Sequence, residues 1–161
     1  MSKTIILKAP EMTIQKERPL KASSDITPGM LCEYDGADVK PHSTADGNCS
    51  PLFATENDIT GGGIDTAYDT DGETVLLRYC APGVEVNALI ANSVNVSAVG
   101  TLLSSAGDGT LKVYTPPSQA VNEAGSATYT IAPKVMAPVA RALEAKNNTS
   151  GANARLKVEV L

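Results

Sequence analysis

Ala154-Arg-Leu-Lys-Val-Glu-Val-Leu161 alternates without a break, with Leu156, Val158 and Val160 on one side and Arg155, Lys157 and Glu159 on the other. Successive side chains of an extended chain point to opposite faces, so this stretch predicts a strand with one face in a core and one in water. The same reading extends upstream. Val99–Leu103 and Leu111–Tyr114 flank an Asp108-Gly109 turn and read as a hairpin-like pair. Val75–Cys80 and Val84–Ile90 are apolar runs separated by Pro82-Gly83, and Leu52–Thr55 follows the turn at Asp46-Gly47-Asn48. Met30–Tyr34 and Asp38–His42 flank Asp35-Gly36. Thirteen Val, eight Ile and fifteen Thr supply the β-branched side chains that suit a pleated surface. Short strands with turns at intervals of ~8–12 residues predict an all-β fold, a small barrel or sandwich of short antiparallel strands. Only Val139–Lys146 pulls the other way, because Ala140, Ala142, Leu143, Glu144 and Ala145 favour helix. It spans two turns at most and follows Pro138, so it reads as a strand with a short helix as the alternative.

The 161 residues suit one compact domain. No apolar run approaches the ~20 residues of a membrane-spanning helix, so no membrane partner is expected. Lys3 and Lys8 bracket a short apolar core without a small-residue cleavage site, which predicts no secretion signal. Synthesis and folding in a reducing cytoplasm follow, with Cys32, Cys49 and Cys80 as free thiols. The net charge of −5 and the scarcity of aromatic residues disfavour nucleic acid as a partner.

Few residues are candidates for chemistry. With His42 the only histidine, multi-His metal sites and His-based relays are nearly excluded by count. His42 follows Pro41 in a polar turn and reads as a surface residue. Asp65, Asp69, Asp71 and Glu73 form the densest acidic cluster, but Gly72 falls in the wrong place for a calcium loop. Gly61-Gly62-Gly63 lacks the Lys-Ser/Thr of a phosphate cradle and reads as a flexible hinge. Cys32 and Cys80 lie in apolar runs as core residues, and Cys49 sits in a turn with no cation beside it to activate a thiolate. The reading is therefore non-enzymatic, with no catalytic residue, cofactor or metal expected.

Charge is unevenly distributed. Residues 1–21 carry a net +3 and residues 25–73 a net −10. Thr4–Leu7 is β-prone, and Pro10 and Pro19 bracket a polar stretch with no helical stripe. Residues 1–21 thus read as an extended basic arm on a single β-rich domain at 22–161. An isolated extended strand of this kind is expected to pair with a sheet edge on another molecule.

Taken in order, several segments resemble the head decoration, or capsid cement, proteins of tailed bacteriophages. They are Lys3–Leu7, Ile26-Thr-Pro-Gly-Met-Leu31, Gly63-Ile-Asp-Thr-Ala-Tyr68, Asp71-Gly-Glu-Thr-Val75 and Pro82-Gly-Val-Glu-Val-Asn-Ala-Leu89. Val99-Gly-Thr-Leu-Leu103, Ser105-Ala-Gly-Asp-Gly-Thr-Leu111, Arg141-Ala-Leu-Glu-Ala145 and Arg155-Leu-Lys-Val-Glu-Val160 complete the set. The resemblance implies a non-enzymatic virion protein on the outer surface of the expanded icosahedral capsid. It would bridge subunits of the major capsid protein, as a homotrimer at three-fold and quasi-three-fold axes, and hold the shell against the pressure of packaged DNA. Lys3, Thr4, Ile5, Ile6, Leu7 and Lys8 would be the arm's contacts with the capsid or a sister subunit, and Gly107, Asp108 and Gly109 a structural turn. A tail or baseplate β-module is the alternative. Tyr114–Ile131, rich in Pro, Ser, Ala and Thr, would be a variable outer loop.

Overall fold

The structure is a computed structural model and describes residues 3–8, 15–17, 25–57, 61–69, 73–116, 138–149 and 151–161. Among these the fold is all-β, without a helix. Its strands are β1 (Ile6–Lys8), β2 (Gln15–Glu17), β3 (Cys32–Asp35), β4 (Asp38–Pro41), β5 (Leu52–Ala54), β6 (Leu76–Tyr79) and β7 (Glu85–Ile90). They continue with β8 (Asn95–Val96), β9 (Leu102–Ser105), β10 (Leu111–Val113), β11 (Ala140–Ala142), β12 (Lys146–Asn147) and β13 (Ala154–Val160).

Five strands close a barrel in the order β7-β10-β9-β11-β13, with β13 returning to β7. The alternating C-terminal strand makes the longest seam, antiparallel from Ala154↔Ile90 to Glu159↔Glu85. Leu156, Val158 and Val160 point inward to meet Val86, Ala88 and Ile90, all essentially without solvent exposure. A five-stranded barrel is narrow and its interior is filled by side chains alone. This explains the alanines of β11: Ala140 and Ala142 lie opposite Val160 and Val158, where larger residues would overfill the core. Residues 140–142 are therefore strand despite their helix propensity, since a two-turn helix is unstable alone while β9 and β13 offer backbone partners on both sides. The β9–β10 hairpin pairs as the sequence predicts. The single parallel contact among the described residues, Leu111↔Ile90, had no sequence signal.

A second layer packs on the barrel. β2-β6-β5 and the β3–β4 hairpin enclose Ile26, Val39, Leu52, Tyr68, Val75 and Leu77. The buried Tyr68 hydroxyl donates to the Thr55 carbonyl at 2.8 Å, satisfying the one polar atom it brings into this core. Main-chain hydrogen bonds weld the layers, from Leu31 N–H to Gly109 O at 2.7 Å and from Asp46 N–H to Ser105 O at 2.9 Å.

One edge of β7 faces β13, and three segments share the other. Asn87 N–H donates to Ile5 O (2.7 Å), Leu89 N–H to Gly29 O (3.1 Å) and Ala91 N–H to Leu111 O (3.0 Å). Gly29 fits because it has no side chain. Its φ is +91°, and a Cβ there would stand 2.8 Å from both Asn87 O and Arg155 Nη1. Gly29→Ala is expected to cost about 2 kcal/mol, from left-handed strain plus the displaced neighbours, seen as a lower urea midpoint with an unchanged slope.

This edge also corrects the arm expected at residues 1–21. β1 pairs antiparallel with β7 at Ile6↔Val86 and Lys8↔Glu85, and β2 pairs with β6. Ile5 is fully buried in the barrel core. Residues 3–8 and 15–17 are thus part of the fold, because a β-prone segment beside an unfilled sheet edge of its own chain can pair there. Most of the expected outer loop, residues 117–131, lies outside the described residues, as does Asp71.

Candidate interaction surface

The six residues expected as arm contacts divide by exposure. Glu56 receives the turn before β1, accepting the Thr4 hydroxyl (2.5 Å) and the Ile5 N–H (3.1 Å) on its two carboxylate oxygens. Ile5 is a core residue, while Ile6 and Leu7 are half-buried. Lys3 and Lys8 are exposed, Lys8 lying 3.6 Å from Glu85 in an ion pair too solvated to contribute much. β1 ends its sheet, so its outer edge has no strand partner among the described residues.

Gly107, Asp108 and Gly109 link β9 to β10 and lock the barrel to the second layer. Asp108 Oδ1 accepts the Thr110 N–H (2.9 Å) and hydroxyl (2.5 Å), closing the turn on itself. Both glycines have positive φ, and a Cβ would stand 2.9 Å from Ala45 N at Gly107 and 2.8 Å from Pro41 Cβ at Gly109.

His42 is the clearest correction. It is buried, not on the surface, because the turn carrying it is clasped between β3 and the Gly107–Gly109 link. Gly107 N–H donates to Ser105 Oγ (3.1 Å), which leaves the Ser105 hydroxyl hydrogen for His42 Nδ1 (2.8 Å). In the neutral ring the proton then sits on Nε2, facing Asn48 O (3.3 Å) and Glu33 Oε2 (3.6 Å). Burial pushes the Glu33 carboxyl up, but the Ser43 hydroxyl and amide, His42 and Lys40 outweigh it and hold the group below its ordinary range. Serine, imidazole and carboxylate thus meet, a grouping the sequence did not reveal. Ser105 has no solvent exposure, so no substrate reaches its Oγ and the set acts as a structural joint.

The cysteines are all free. Burial pushes the thiols of Cys32 and Cys80 up to about 12, and burial with the nearby Glu33 charge raises that of Cys49, so none is an activated nucleophile. The acidic cluster does not converge. Asp65 accepts from Arg155 Nε (3.1 Å), Glu73 accepts the Asp69 N–H (3.1 Å), and among the described residues no group of three or more metal-ligating side chains is placed to hold an ion.

No protein-family model matches the chain, and no curated protein matches it at significance.

Sequence reasoning also missed Arg155, which alternation assigned to water. Its guanidinium donates through Nη1 to Pro28 O (3.0 Å) and, more weakly, Asn87 O (3.5 Å), and through Nη2 to Ile64 O and Asp65. It fastens the 25–31 and 63–66 segments across the outer face of β7 and β13. Arginine alone carries enough donors in a fixed fork for this task. The remaining surface exposes Tyr34, Tyr79, Val99, Leu102 and Leu161, along with an Arg141–Glu159 fork whose Nη2 lies 2.9 Å from both carboxylate oxygens.

Proposed function

We propose that this protein is a bacteriophage capsid decoration protein, which binds the outside of the expanded head and stabilises it by bridging major capsid protein subunits. The observation that carries the reading is the order of the segments resembling that family, which fall along one barrel and its joints. Pro82–Leu89, Val99–Leu103, Ser105–Leu111, Arg141–Ala145 and Arg155–Val160 contain or overlap β7, β9, the β9–β10 link, β11 and β13. Ile26–Leu31 and Gly63–Tyr68 are the segments fastened onto that barrel by Gly29 and Arg155. A closed, cross-braced unit of this kind transmits load between the subunits it bridges, and many copies on one shell add their small contact areas. The outer edge of β1 offers backbone groups for strand addition from a shell or sister subunit, which favours a role for the Lys3–Lys8 segment in attachment and in a homotrimer.

Mixing the purified protein with undecorated expanded capsids tests the reading. Saturable binding and a higher temperature of shell rupture are expected, with immunogold label on the head of intact virions. Shells that neither bind the protein nor gain heat resistance overturn the proposal, and label confined to the tail replaces it with the tail or baseplate reading.

A further inference from the structure

Between β3, the 48–50 segment and the start of β5 lies a cavity of about 290 Å³, at the small end of the roughly 300–1,000 Å³ of binding clefts and suited to one side chain. Buried Leu52 and Cys32 give it an apolar floor. Its lining holds one carboxylate, Glu33, and no lysine or arginine. Glu33 Oε1 is engaged, accepting the Ser43 hydroxyl at 2.6 Å and amide at 3.3 Å, with Lys40 Nζ 3.6 Å away. Glu33 Oε2 accepts no hydrogen bond among the described residues, since His42 Nε2 stands 3.6 Å off, beyond bonding distance.

The charge of this lining is negative, and it is felt inside. Burial, and after it the Glu33 charge, raises the Cys49 thiol on the same lining. Lys40 does not cancel the field, because Glu33, Asp35 and Asp38 outnumber it across β3 and β4. Tyr34, 45% exposed, brings an aromatic ring whose face attracts a cation. Asn48 and Ser50 carry carbonyl and hydroxyl oxygens that accept from N–H donors. A planar guanidinium suits this set better than an ammonium, since it stacks on a ring while its edge donates to a carboxylate oxygen. A second half-exposed tyrosine, Tyr79, pairs with Leu52 across β5 and β6, so its side chain stands on the same face as this floor residue. Tyrosines around a small pocket are the anatomy of a protein interface, where Tyr and Arg carry much of the binding energy.

We propose that this cavity receives an arginine side chain from a partner protein. The guanidinium stacks on Tyr34 and donates to Glu33 Oε2, and Tyr79 contacts the partner surface that carries it. Identifying the partner as a shell subunit rests on the capsid reading; the cavity's preference for a guanidinium does not.

Two measurements separate these claims. In the first, N-acetyl-arginine N-methylamide is titrated into the isotopically labelled full chain. Saturable shifts at the main-chain amides of Tyr34, Cys49 and Ser50 are expected at roughly millimolar probe. N-acetyl-citrulline N-methylamide, the same shape without the charge, should give none. Glu33→Gln should abolish the shifts and Tyr34→Leu should weaken binding about threefold, with both variants keeping the wild-type far-ultraviolet dichroism. No saturable shift, equal shifts from the citrulline probe, or shifts that survive Glu33→Gln overturn the proposal. In the second, the same variants are sedimented with undecorated capsids, and Glu33→Gln and Tyr34→Leu should bind about tenfold more weakly than wild type. Equal binding by all three overturns the docking role while leaving the capsid function intact. A cavity that titrates on a protein unable to bind shells leaves the arginine site standing and removes the capsid reading.

Discussion

Ile5→Ala is expected to lower the unfolding free energy by about 3 kcal/mol, within the range of roughly 2–5 kcal/mol for truncating a fully buried isoleucine. Ile5 has no solvent exposure and packs in the barrel core, while its carbonyl accepts Asn87 N–H and its own N–H is held by Glu56. Removing three methylene-sized groups leaves a void that a narrow, closed barrel relaxes poorly around, because each strand is pinned on both edges. Urea unfolding followed by far-ultraviolet dichroism should show a lower midpoint with little change in slope. Deleting residues 1–8 is the stronger form of the same test, since it also strips Asn87 N–H of its acceptor and opens an edge of β7. An arm lying free of its own domain predicts no loss of stability from either change. Reduced shell binding by the deletion would then need to be separated from partial unfolding, which Ile5→Ala, Lys3→Glu and Lys8→Glu together allow. The two lysines are exposed and should affect attachment without affecting the midpoint.

The contrast between Ile5 and Val158 shows what a sequence of this kind discloses. Val158 sits in a stretch whose alternation is complete, so period two alone placed it in a core. The turn-bounded runs that became β3 to β7, and the hairpin of β9 and β10, were legible for the same reason: strand and turn preferences are local. Ile5 was assigned correctly to an extended segment and wrongly to an outside partner, because the edge that captures it lies some eighty residues away. Nothing in Thr4–Leu7 distinguishes an edge of its own chain from one on another molecule. His42 failed similarly. Its polar neighbours Ser43 and Thr44 suggest solvent, but its burial is imposed by Ser105 and Gly109, some sixty residues further along the chain.

Arg155→Met is the second large effect, an expected loss of about 3 kcal/mol. Alternation would make this position tolerant, because an outward-facing strand residue normally changes stability by less than ~0.5 kcal/mol. The structure reverses that expectation. The Arg155 side chain is only 15% exposed, and its donors go to the carbonyls of Pro28, Ile64 and Asn87. Methionine keeps much of the apolar stem but removes every donor. Covered carbonyls then lose their partners, at roughly 1–3 kcal/mol for each that water does not reach. The Asp65 pairing adds little, since that carboxylate is 86% exposed. Asp65→Asn should therefore move the urea midpoint hardly at all, and a large effect at Asp65 would show that charge attraction, not carbonyl satisfaction, holds the clamp. Lys at position 155 discriminates further. It restores the charge on a single point donor without the fork, so it should recover less than half of the loss. Hydrogen exchange locates the damage: in Arg155→Met the amide of Leu89, bonded to Gly29 O, should open before that of Val160, bonded to Val84 O in the barrel seam. Uniform loss of protection across β7 and β13 would mean that the clamp is integral to the barrel rather than a fastening laid across its outer face.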